Sequence, residues 1–465
     1  MTELNGVLAK ADQTLDAALE RLFALVRIPS ISTDPAYKEA CRKAGQWLVD
    51  DLSGLGFTAR LHDTPGHPMV VAHHDGARPD APHVLFYGHY DVQPVDPLAL
   101  WESDPFEPSI KELSPGRTVI TGRGTSDDKG QLMTFVEACR AYKAVAGSLP
   151  CRVTILFEGE EESGSPSLKP FLDAHAEELK ADYALVCDTG MWDRETPAIS
   201  AGLRGLVGEE VTIIAADRDL HSGMFGGAAA NPVHILAKIL AGLHDETGRV
   251  TLPGFYDGVE ETPSQIKASW ESLGKTAESF LGEIGLSIPS GEKGRSVLEL
   301  TWARPTAEVN GITGGYTGEG FKTVIAAKAS AKISFRLVGK QDPDAIRSAF
   351  RDYVRSQLPA DCSVEFHEHG GSPAIQLPYD SPVLTTAKTA LSDEWPKPAV
   401  VIGMGGSIPI VGDFQSLLGM ESLLVGFGLS DDRIHSPNEK YELQSFAKGI
   451  RSWIRILAAL GAAKP

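Results

Sequence analysis

The chain has 465 residues, of which 42% are hydrophobic and 23% are charged, and its formal net charge at pH 7 is −19. At ~150 residues per domain, this length predicts two or three domains instead of one hydrophobic core. The negative charge would repel phosphate backbones and argues against nucleic acid as a partner, and no run approaches the ~20 apolar residues that a membrane helix needs.

The chain begins with a polar and acidic segment, "MTELNGVLAKADQTLD", which lacks the basic and apolar regions of an export signal. We therefore expect a cytoplasmic protein. The cysteines are odd in number, scattered and without Cys-x-x-Cys spacing, which predicts neither a disulfide framework nor a thiolate zinc site. They are Cys41, Cys139, Cys151, Cys187 and Cys362.

Helical and strand-like segments alternate in the N-terminal part. The first predicted helix has an apolar stripe that Pro29 ends, and its members are Leu15, Leu19, Leu22, Phe23 and Val26. A second helix is predicted over 37–52, and helical spacing recurs between Leu132 and Cys139. Strands are predicted at "HVLFYGHYD", "RVTILFEGEEES" and "YALVCDTG". This alternation predicts an α/β domain with a mainly parallel sheet.

The pattern changes near Leu206. Strands are predicted at "LVGEEVTIIAA", "VLELTWA", "AAKASAKISFRLV" and "SVEFHEH", and helices over Pro232–Leu243 and Pro343–Val354. The third of these strands alternates as a strand with one buried face does. A sheet with two helices on one side is a smaller α+β layer of the ferredoxin-like kind.

The α/β pattern returns after "GGSPA" and ends in an amphipathic helix. Its apolar face carries Phe446, Ile450, Trp453, Ile454 and Leu457. We therefore predict a catalytic α/β domain formed by residues 1–204 and 373–465, into which a smaller domain, residues 205–372, is inserted.

Polar side chains that can bind metals follow three of the predicted strands. The first strand delivers His89 and Asp91, the second Glu161 and Glu162, and the third Asp188. Because the carboxyl ends of parallel strands line one crevice, we expect these side chains to converge. Any one of them alone would be an ordinary polar loop residue, so the prediction depends on their repetition.

Two further segments add ligands of the same kind. "GRGTSDDKGQ" contributes Asp127 and Asp128 just before a helix, and "LLVGFGLSDDRIHSPNEK" contributes His435 on a loop. Carboxylates and imidazoles without thiolates suit Zn²⁺, Mn²⁺ or Co²⁺. The four glutamates of "EGEEES" are costly to crowd after a buried strand unless a cation is close.

Five segments in this order, "GHYDVQP", "GRGTSDDKG", "EGEEESGS", "DLHSGMFGG" and "IHSPNEK", resemble the signature motifs of one enzyme family. It is the family of co-catalytic di-metal peptidases that includes the aminoacylases, carboxypeptidase G and the carnosinases. The "DDKG" and "EESGS" forms are most similar to its dipeptidase branch, to which the cytosolic nonspecific dipeptidases belong. In that family the inserted domain acts as a lid and as the dimerisation domain.

The resemblance implies two divalent metal ions per subunit, with zinc as the first choice and manganese or cobalt as alternatives. The ligands that it implies are His89, Asp127 and Asp188 for one ion, and Asp127, Glu162 and His435 for the other. Asp91 would orient His89 as a neighbour of the ligand shell. Glu161 would be the general base that activates a metal-bridging water, and a cis peptide bond would follow Asp127.

The resemblance also implies how substrate is held. His221 would support the oxyanion from the partner subunit of a homodimer, and Arg336 would bind the free carboxylate of a short peptide as a bidentate guanidinium. Further substrate contacts are implied for Thr323, His369 and Ser407. The predicted function is metal-dependent hydrolysis of dipeptides or short peptides with a free C-terminal carboxylate.

Two alternatives remain open on the sequence. An N-acyl-amino-acid hydrolase, or a carbamoyl- or succinyl-amide hydrolase, would use the same metal site on another amide. A binding protein that kept the fold without catalysis would be expected to have lost Glu161 or His435, and both are present.

Overall fold

The computed structural model describes residues 2–406 and 408–462. The chain divides into two compact units, of which unit 1 comprises Met1–Ala201, Leu377–Val401 and Asp413–Pro465, and unit 2 comprises Gly202–Gln376 and Ile402–Gly412. No helix among the described residues combines the length and the apolarity that a membrane crossing requires.

The secondary structure elements are numbered in chain order. The strands are β1 (Thr58–His62), β2 (Met69–His74), β3 (His83–His89), β4 (Ser109–Ser114), β5 (Arg117–Thr121), β6 (Arg152–Glu158), β7 (Tyr183–Val186), β8 (Ala198–Leu203), β9 (Gly205–Ile214), β10 (Leu220–His221), β11 (Thr306–Gly314), β12 (Val324–Ile325), β13 (Lys328–Leu337), β14 (Ser363–Ser372), β15 (Ile375–Gln376), β16 (Val400–Met404), β17 (Glu421–Leu424) and β18 (Lys440–Glu442). The helices are α1 (Thr2–Gln13), α2 (Leu15–Val26), α3 (Lys38–Gly54), α4 (Lys129–Ala146), α5 (Leu168–Leu179), α6 (Ser222–Phe225), α7 (Pro232–Ala241), α8 (Ser264–Ser272), α9 (Ala277–Gly282), α10 (Val297–Trp302), α11 (Pro343–Ser356), α12 (Pro382–Ser392), α13 (Pro409–Leu418) and α14 (Leu443–Ala462).

The large sheet of unit 1 has the strand order β1-β2-β6-β3-β7-β17-β8. Its four central strands, β6, β3, β7 and β17, run parallel to one another. The hairpin β1–β2 adds to β6 in the antiparallel direction, and β8 pairs with β17 antiparallel. The sheet is therefore mixed, which corrects the prediction of a mainly parallel sheet, although the three metal-type segments do follow its parallel strands.

The core of unit 1 forms where the sheet meets the long helices α4 and α14. Phe86 of β3 stacks on Phe135 of α4 with ring centroids 3.8 Å apart, and Trp453 of α14 meets Phe86 edge-on at 5.5 Å. All three side chains are fully buried. This packing fixes β3, and with it His89 at the end of the strand, on a rigid base.

Unit 2 contains a four-stranded antiparallel sheet in the order β11-β13-β9-β14. Strand β13 alternates as predicted, and its buried positions are Ala329, Ala331, Ile333, Phe335 and Leu337. Helices α7 and α11 supply Leu236, Ile239, Ile346, Phe350 and Val354 to the core that covers this face. The opposite face of the sheet is polar and carries Ser334 and Arg336.

One predicted strand of this region is wrong. "VLELTWA" forms helix α10 instead, because Ser296 accepts the N–H of Glu299 at 3.2 Å and the Glu299 carboxylate accepts the N–H of Ser296 at 3.0 Å. This reciprocal capping box satisfies two of the free donors at a helix start. Val297 and Leu298 are buried in this helix as they would be in a strand, so their hydrophobicity did not distinguish a helix from a strand.

Candidate metal centre

The carboxyl ends of the parallel strands in unit 1 carry the metal-type side chains. Strand β3 ends at His89, β6 is followed by a short turn at Glu161–Ser163, and β7 is followed by Asp188. Asp127 precedes helix α4 by two residues, and the peptide bond that joins it to Asp128 is cis. The fold thus places residues from distant parts of the sequence at one edge of the sheet.

Two groups of three ligand atoms form within the described residues. His89, Asp127 and Asp188 make up one group, and Asp127, Glu162 and His435 the other, with all ligand atoms of a group within 4.8 Å of one another. Asp127 belongs to both. Imidazole nitrogens and carboxylate oxygens in sets of three are a donor set that fits divalent zinc, manganese or cobalt and leaves room for further ligands.

The two oxygens of Asp127 face different histidines. Its Oδ1 lies 3.1 Å from His89 Nε2, and its Oδ2 lies 2.9 Å from His435 Nε2. Burial alone would raise the pKa of Asp127, but the hydrogen bonds to His435 and His89 hold it below its usual range. Asp127 is therefore an ionised carboxylate with one oxygen directed at each group, as a bridging ligand requires.

The orientation of His89 is set by Asp91. His89 Nδ1 lies 3.1 Å from the backbone carbonyl oxygen of Asp91 and 3.4 Å from its Oδ1. A proton on Nδ1 is thus satisfied, and Nε2 is the ring nitrogen directed at Asp127. Burial lowers the pKa of His89, but the hydrogen bonds to Asp127 and Asp91 outweigh it and raise the pKa well above its ordinary value.

The carboxylate of Asp91 also fixes the turn that carries the two central glutamates. Its Oδ1 accepts the N–H of Glu161 at 3.2 Å, and its Oδ2 accepts the N–H of Glu162 at 3.0 Å. The side chain of Gln93, which sequence reasoning missed, donates to Glu162 Oε2 at 2.7 Å. The segment after β3 therefore positions a histidine and two glutamates at once.

His435 approaches from a loop and is the most accessible member of the centre. Its Nε2 lies 3.2 Å from Glu162 Oε2, and 53% of its side chain is exposed. Its backbone φ is +61°, a value that non-glycine residues rarely adopt. Hydrogen bonds to Asp127 and Glu162 raise the pKa of His435 to about 10.

Negative charge accumulates in this centre without a neutralising lysine or arginine among the ligands. Burial, together with the charge of Asp127, raises the pKa of Asp188 to about 7. Burial also raises the pKa of Glu161 above its ordinary value, and the neighbouring Glu162 adds to the effect. Carboxylates that are buried this closely are unfavourable as anions, and a divalent cation among them would remove the penalty.

Several residues support the candidate ligands without belonging to either ligand group. Glu439, in the quoted segment "IHSPNEK", is fully buried and accepts the N–H groups of Ser126 at 2.9 Å and Asp127 at 3.1 Å. Asp128 Oδ2 accepts the N–H of His89 at 3.1 Å. Such contacts depend on the fold, and no spacing in the sequence reveals them.

The two glutamates left over from the acidic cluster have separate places in the structure. Glu160 is buried and accepts the N–H groups of His67 at 2.8 Å and Ser167 at 2.5 Å, which ties a distant loop to the turn. Glu158 accepts a hydrogen bond from the Tyr87 hydroxyl at 2.6 Å, and burial raises the pKa of Glu158 to about 8. Neither residue belongs to the two ligand groups.

Four of the predicted substrate residues, His221, Thr323, Arg336 and His369, lie in unit 2. His221 is exposed, and its Nδ1 accepts the N–H of Gly223 at 3.0 Å. The carbonyl of Thr323 accepts the N–H of Ser222 at 3.0 Å, next to the β10–β12 pair in which His221 lies opposite Val324. His369 Nε2 lies 3.3 Å from Glu210 Oε2.

Arg336 and Ser407 complete that set of predictions. Arg336 is half-buried on β13, opposite Thr306 of β11, and lines a cavity of unit 2. Ser407 lies outside the described residues.

Comparison with known proteins identifies relatives over almost the whole chain. The sequence pattern of peptidase family M20/M25/M40 matches residues 85–459. The Cys-Gly metallodipeptidase dug1 of Schizosaccharomyces pombe is 30% identical to this chain over an alignment of 469 positions. The alignment covers 98% of this chain and 98% of that protein. The two proteins are therefore similar in sequence along almost their whole lengths.

Solved structures show the same likeness in three dimensions. The M20 family metallo-carboxypeptidase Sso-CP2 of Sulfolobus solfataricus has a TM-score of 0.80 at 30% identity, covering 96% of this chain and 99% of that chain. Human carnosine dipeptidase 1 has a TM-score of 0.76 at 26% identity, covering 99% of both chains.

Proposed function

We infer that this chain, which belongs to peptidase family M20/M25/M40, is a metal-dependent dipeptidase. It hydrolyses the peptide bond of dipeptides or short peptides that have a free C-terminal carboxylate. The names of two relatives, a Cys-Gly metallodipeptidase and a carnosine dipeptidase, support dipeptides as the substrate class, and a third, a metallo-carboxypeptidase, supports recognition of the C-terminal end.

One observation carries this proposal. Two groups of three ligand atoms share Asp127, and the turn that supplies Glu162 to one group presents Glu161 directly beside it. A shared carboxylate with an adjacent free glutamate is the arrangement that two-metal hydrolysis of an amide needs.

The ligands for the two ions are those of the two groups. Zinc is the first choice because three-ligand sites of histidine and carboxylate leave a position open for water, and manganese or cobalt would accept the same donors. When bound, the two cations supply Lewis-acid polarisation of a carbonyl and acidify a water.

Glu161 acts as the general base. It takes a proton from the attacking water and then gives it to the leaving amine, so one carboxyl group serves both steps. Burial raises its pKa above the ordinary value, which brings its proton affinity closer to that needed near neutral pH. Asp91 keeps Glu161 in place by accepting its backbone N–H.

Residues of unit 2 hold the substrate. Arg336 binds the C-terminal carboxylate through its guanidinium, and Thr323, His369 and Ser407 make further contacts with the peptide. His221 supports the developing oxyanion: because its Nδ1 accepts a backbone N–H, the neutral ring carries its proton on Nε2 and can donate from there.

The active form is a homodimer in which His221 serves the site of the partner subunit, and unit 2 acts as lid and dimerisation domain. We place the enzyme in the cytoplasm, in peptide catabolism. The homodimer, the lid and the role of His221 in the partner's site follow from the resemblance of the motifs.

A substrate panel tests the function. The protein is stripped of metal, reconstituted separately with zinc, manganese and cobalt, and assayed on dipeptides, N-acetyl amino acids and N-carbamoyl and N-succinyl amino acids. We expect hydrolysis of dipeptides only in the reconstituted samples. Hydrolysis of the N-acyl or carbamoyl compounds without hydrolysis of dipeptides would replace the proposal with an amino-acid deacylase, and no hydrolysis with both ions bound would indicate a binding protein.

A further inference from the structure

One cavity of unit 2, about 690 Å³ in volume, lies against the polar face of the four-stranded sheet. Ser334 and Arg336 of β13 line it, together with Glu308 of β11, which pairs with Ser334 across the ladder. Arg204, in the connection between β8 and β9, lines the same cavity. The cavity therefore brings together two arginines that are far apart in the sequence.

The arginines of this cavity differ in how their charge is balanced. Arg304 donates to the Glu292 carboxylate through Nε at 3.0 Å and Nη2 at 3.1 Å, so that pair is neutral. Neither Arg204 nor Arg336 forms an ion pair in the described part of the chain. Two half-buried guanidinium groups thus face one cavity without a counter-charge in contact.

Arg204 is held in place by backbone atoms. Its Nε donates to the carbonyl of Gly405 at 3.1 Å, and its Nη1 lies 3.5 Å from the carbonyl of Leu300. These neutral acceptors orient the guanidinium and leave its charge uncompensated. Its Nη2 has no acceptor among the described residues and is available to a ligand.

The two guanidinium groups interact electrostatically. Burial, followed by the charge of Arg336, lowers the pKa of Arg204 to about 10, and the opposing effect of Glu308 is smaller. Glu308 is exposed, so solvent screens its charge. A cavity with two such cations is most stable when it holds two negative charges.

We propose that Arg204 and Arg336 together form a subsite for two carboxylates, which gives the enzyme a preference for dipeptides whose C-terminal residue is aspartate or glutamate. This inference rests on the proposed function, in which Arg336 binds the α-carboxylate of the substrate. Arg204 then binds the side-chain carboxylate of the same residue. A neutral C-terminal residue would leave one guanidinium unmatched and partly desolvated.

The test compares Ala-Asp with Ala-Asn, which have nearly the same shape and differ by one charge. For the metal-loaded enzyme we expect kcat/KM to be at least about tenfold higher for Ala-Asp. Arg204→Gln should reduce this ratio to about one, whereas Arg204→Lys, which keeps the charge, should retain a ratio well above one. A ratio of one or less in the unmodified enzyme, or an unchanged ratio in Arg204→Gln, overturns the subsite.

A binding measurement tests the subsite without turnover. Calorimetric titration with succinate and butyrate should show at least about tenfold tighter binding of succinate to the unmodified enzyme, and equal affinities for the two in Arg204→Gln. Equal affinities in the unmodified enzyme overturn the subsite. Absence of hydrolysis of every dipeptide, together with preferential succinate binding, would instead refute the dipeptidase and keep the anion subsite.

Discussion

Glu439 accepts the backbone N–H of Asp127 at 3.1 Å, although 311 residues lie between them in the chain. The same Oε1 accepts the N–H of Ser126, while Oε2 accepts the N–H of Gly124 at 3.0 Å and a guanidinium N–H of Arg123 at 2.8 Å. Glu439 follows His435 on its loop. One buried carboxylate therefore holds the loop of one candidate ligand against the turn that carries the shared ligand.

Replacing Glu439 should loosen the metal centre without changing any ligand. Glu439→Gln keeps the shape, but its amide NH₂ must face either the N–H groups of Ser126 and Asp127 or that of Gly124. We expect metal affinity to fall by about 10–100-fold, the usual effect of a residue that supports a ligand. Competition with a chelator measures it.

The matched control is Glu442→Gln, three residues further on. Glu442 is also buried, but it pairs with Arg117 at 2.6 Å. This variant should lose stability and keep the metal affinity. Equal effects of the two variants on metal binding would contradict the role given to Glu439.

Glu161 and Glu162 are adjacent in the sequence but have different proposed roles, Glu161 as the general base and Glu162 as a metal ligand. Glu161→Ala should lower kcat by about 10²–10⁴-fold, since general-base catalysis contributes that much, and should leave both metal ions bound. Glu162→Ala should release one ion. Steady-state kinetics combined with metal analysis of the dialysed variants separates the two. Turnover that persists in Glu161→Ala would remove it as the base.

His435 is expected to hold one ion only. His435→Ala should lower the zinc content from two ions per chain to one, because His89 and Asp188 belong to the other ligand group. His221→Ala is the control: it should reduce kcat while both ions remain. If His435→Ala retained two ions with unchanged affinity, that histidine would not be a ligand.

Arg336 is expected to act in binding. Arg336→Gln should raise KM for dipeptides by about 10–100-fold, because a charged hydrogen bond is worth ~1.5–3 kcal/mol. Dipeptide amides, which have no free carboxylate, should be hydrolysed slowly by both proteins and respond little to the change. A KM for dipeptides that stays the same would rule out the carboxylate clamp.

Acid stability should depend on Glu394. Its carboxylate accepts Arg451 Nε at 2.7 Å and Arg455 Nε at 2.8 Å. Burial alone would raise the pKa of Glu394, but these hydrogen bonds lower it below the ordinary 4.5. Because the folded state has the lower pKa, the stabilisation is complete above pH 4.5 and is lost as the pH falls through the folded value.

The free energy of unfolding at several pH values tests this sign. Glu394→Gln should cost roughly 1–3 kcal/mol at pH 7, and its difference from the unmodified protein should shrink as the pH is lowered below 4.5. The exposed Glu20→Gln serves as control and should show no such trend. A difference that is constant across the acid range would contradict the assignment.

The sequence was informative where periodicity and motif agreed. The stripe from Leu15 to Val26 forms α2, and the alternation of Ala331 to Leu337 forms β13. The sequence pattern gave a wrong prediction at "VLELTWA", because its apolar residues fit a strand as well as a helix. The capping box at Ser296 stabilises the helix. The hairpin β1–β2, which makes the sheet mixed, was not predicted, although the turn residues Pro65 and Gly66 lie between its strands.

The candidate ligands could be predicted because each follows an apolar run or stands in a recognisable motif. The residues that hold these ligands in position could not be predicted from the sequence. Glu439, Asp128 and Glu160 act by accepting backbone N–H groups of residues that are distant in sequence, and only the folded chain shows which N–H groups those are. The role proposed for Arg204 could likewise not be predicted, because only the folded chain shows that it lines the same cavity as Arg336.

The most direct test of the metal centre is anomalous diffraction from crystals grown with zinc. We expect two peaks per chain, ~3.5–4 Å apart, with the carboxylate of Asp127 in contact with both. His89 and Asp188 should complete one coordination sphere, and Glu162 and His435 the other, at ~2.0–2.2 Å from the ion. A single peak, or two peaks that do not share Asp127, would contradict the two-metal account.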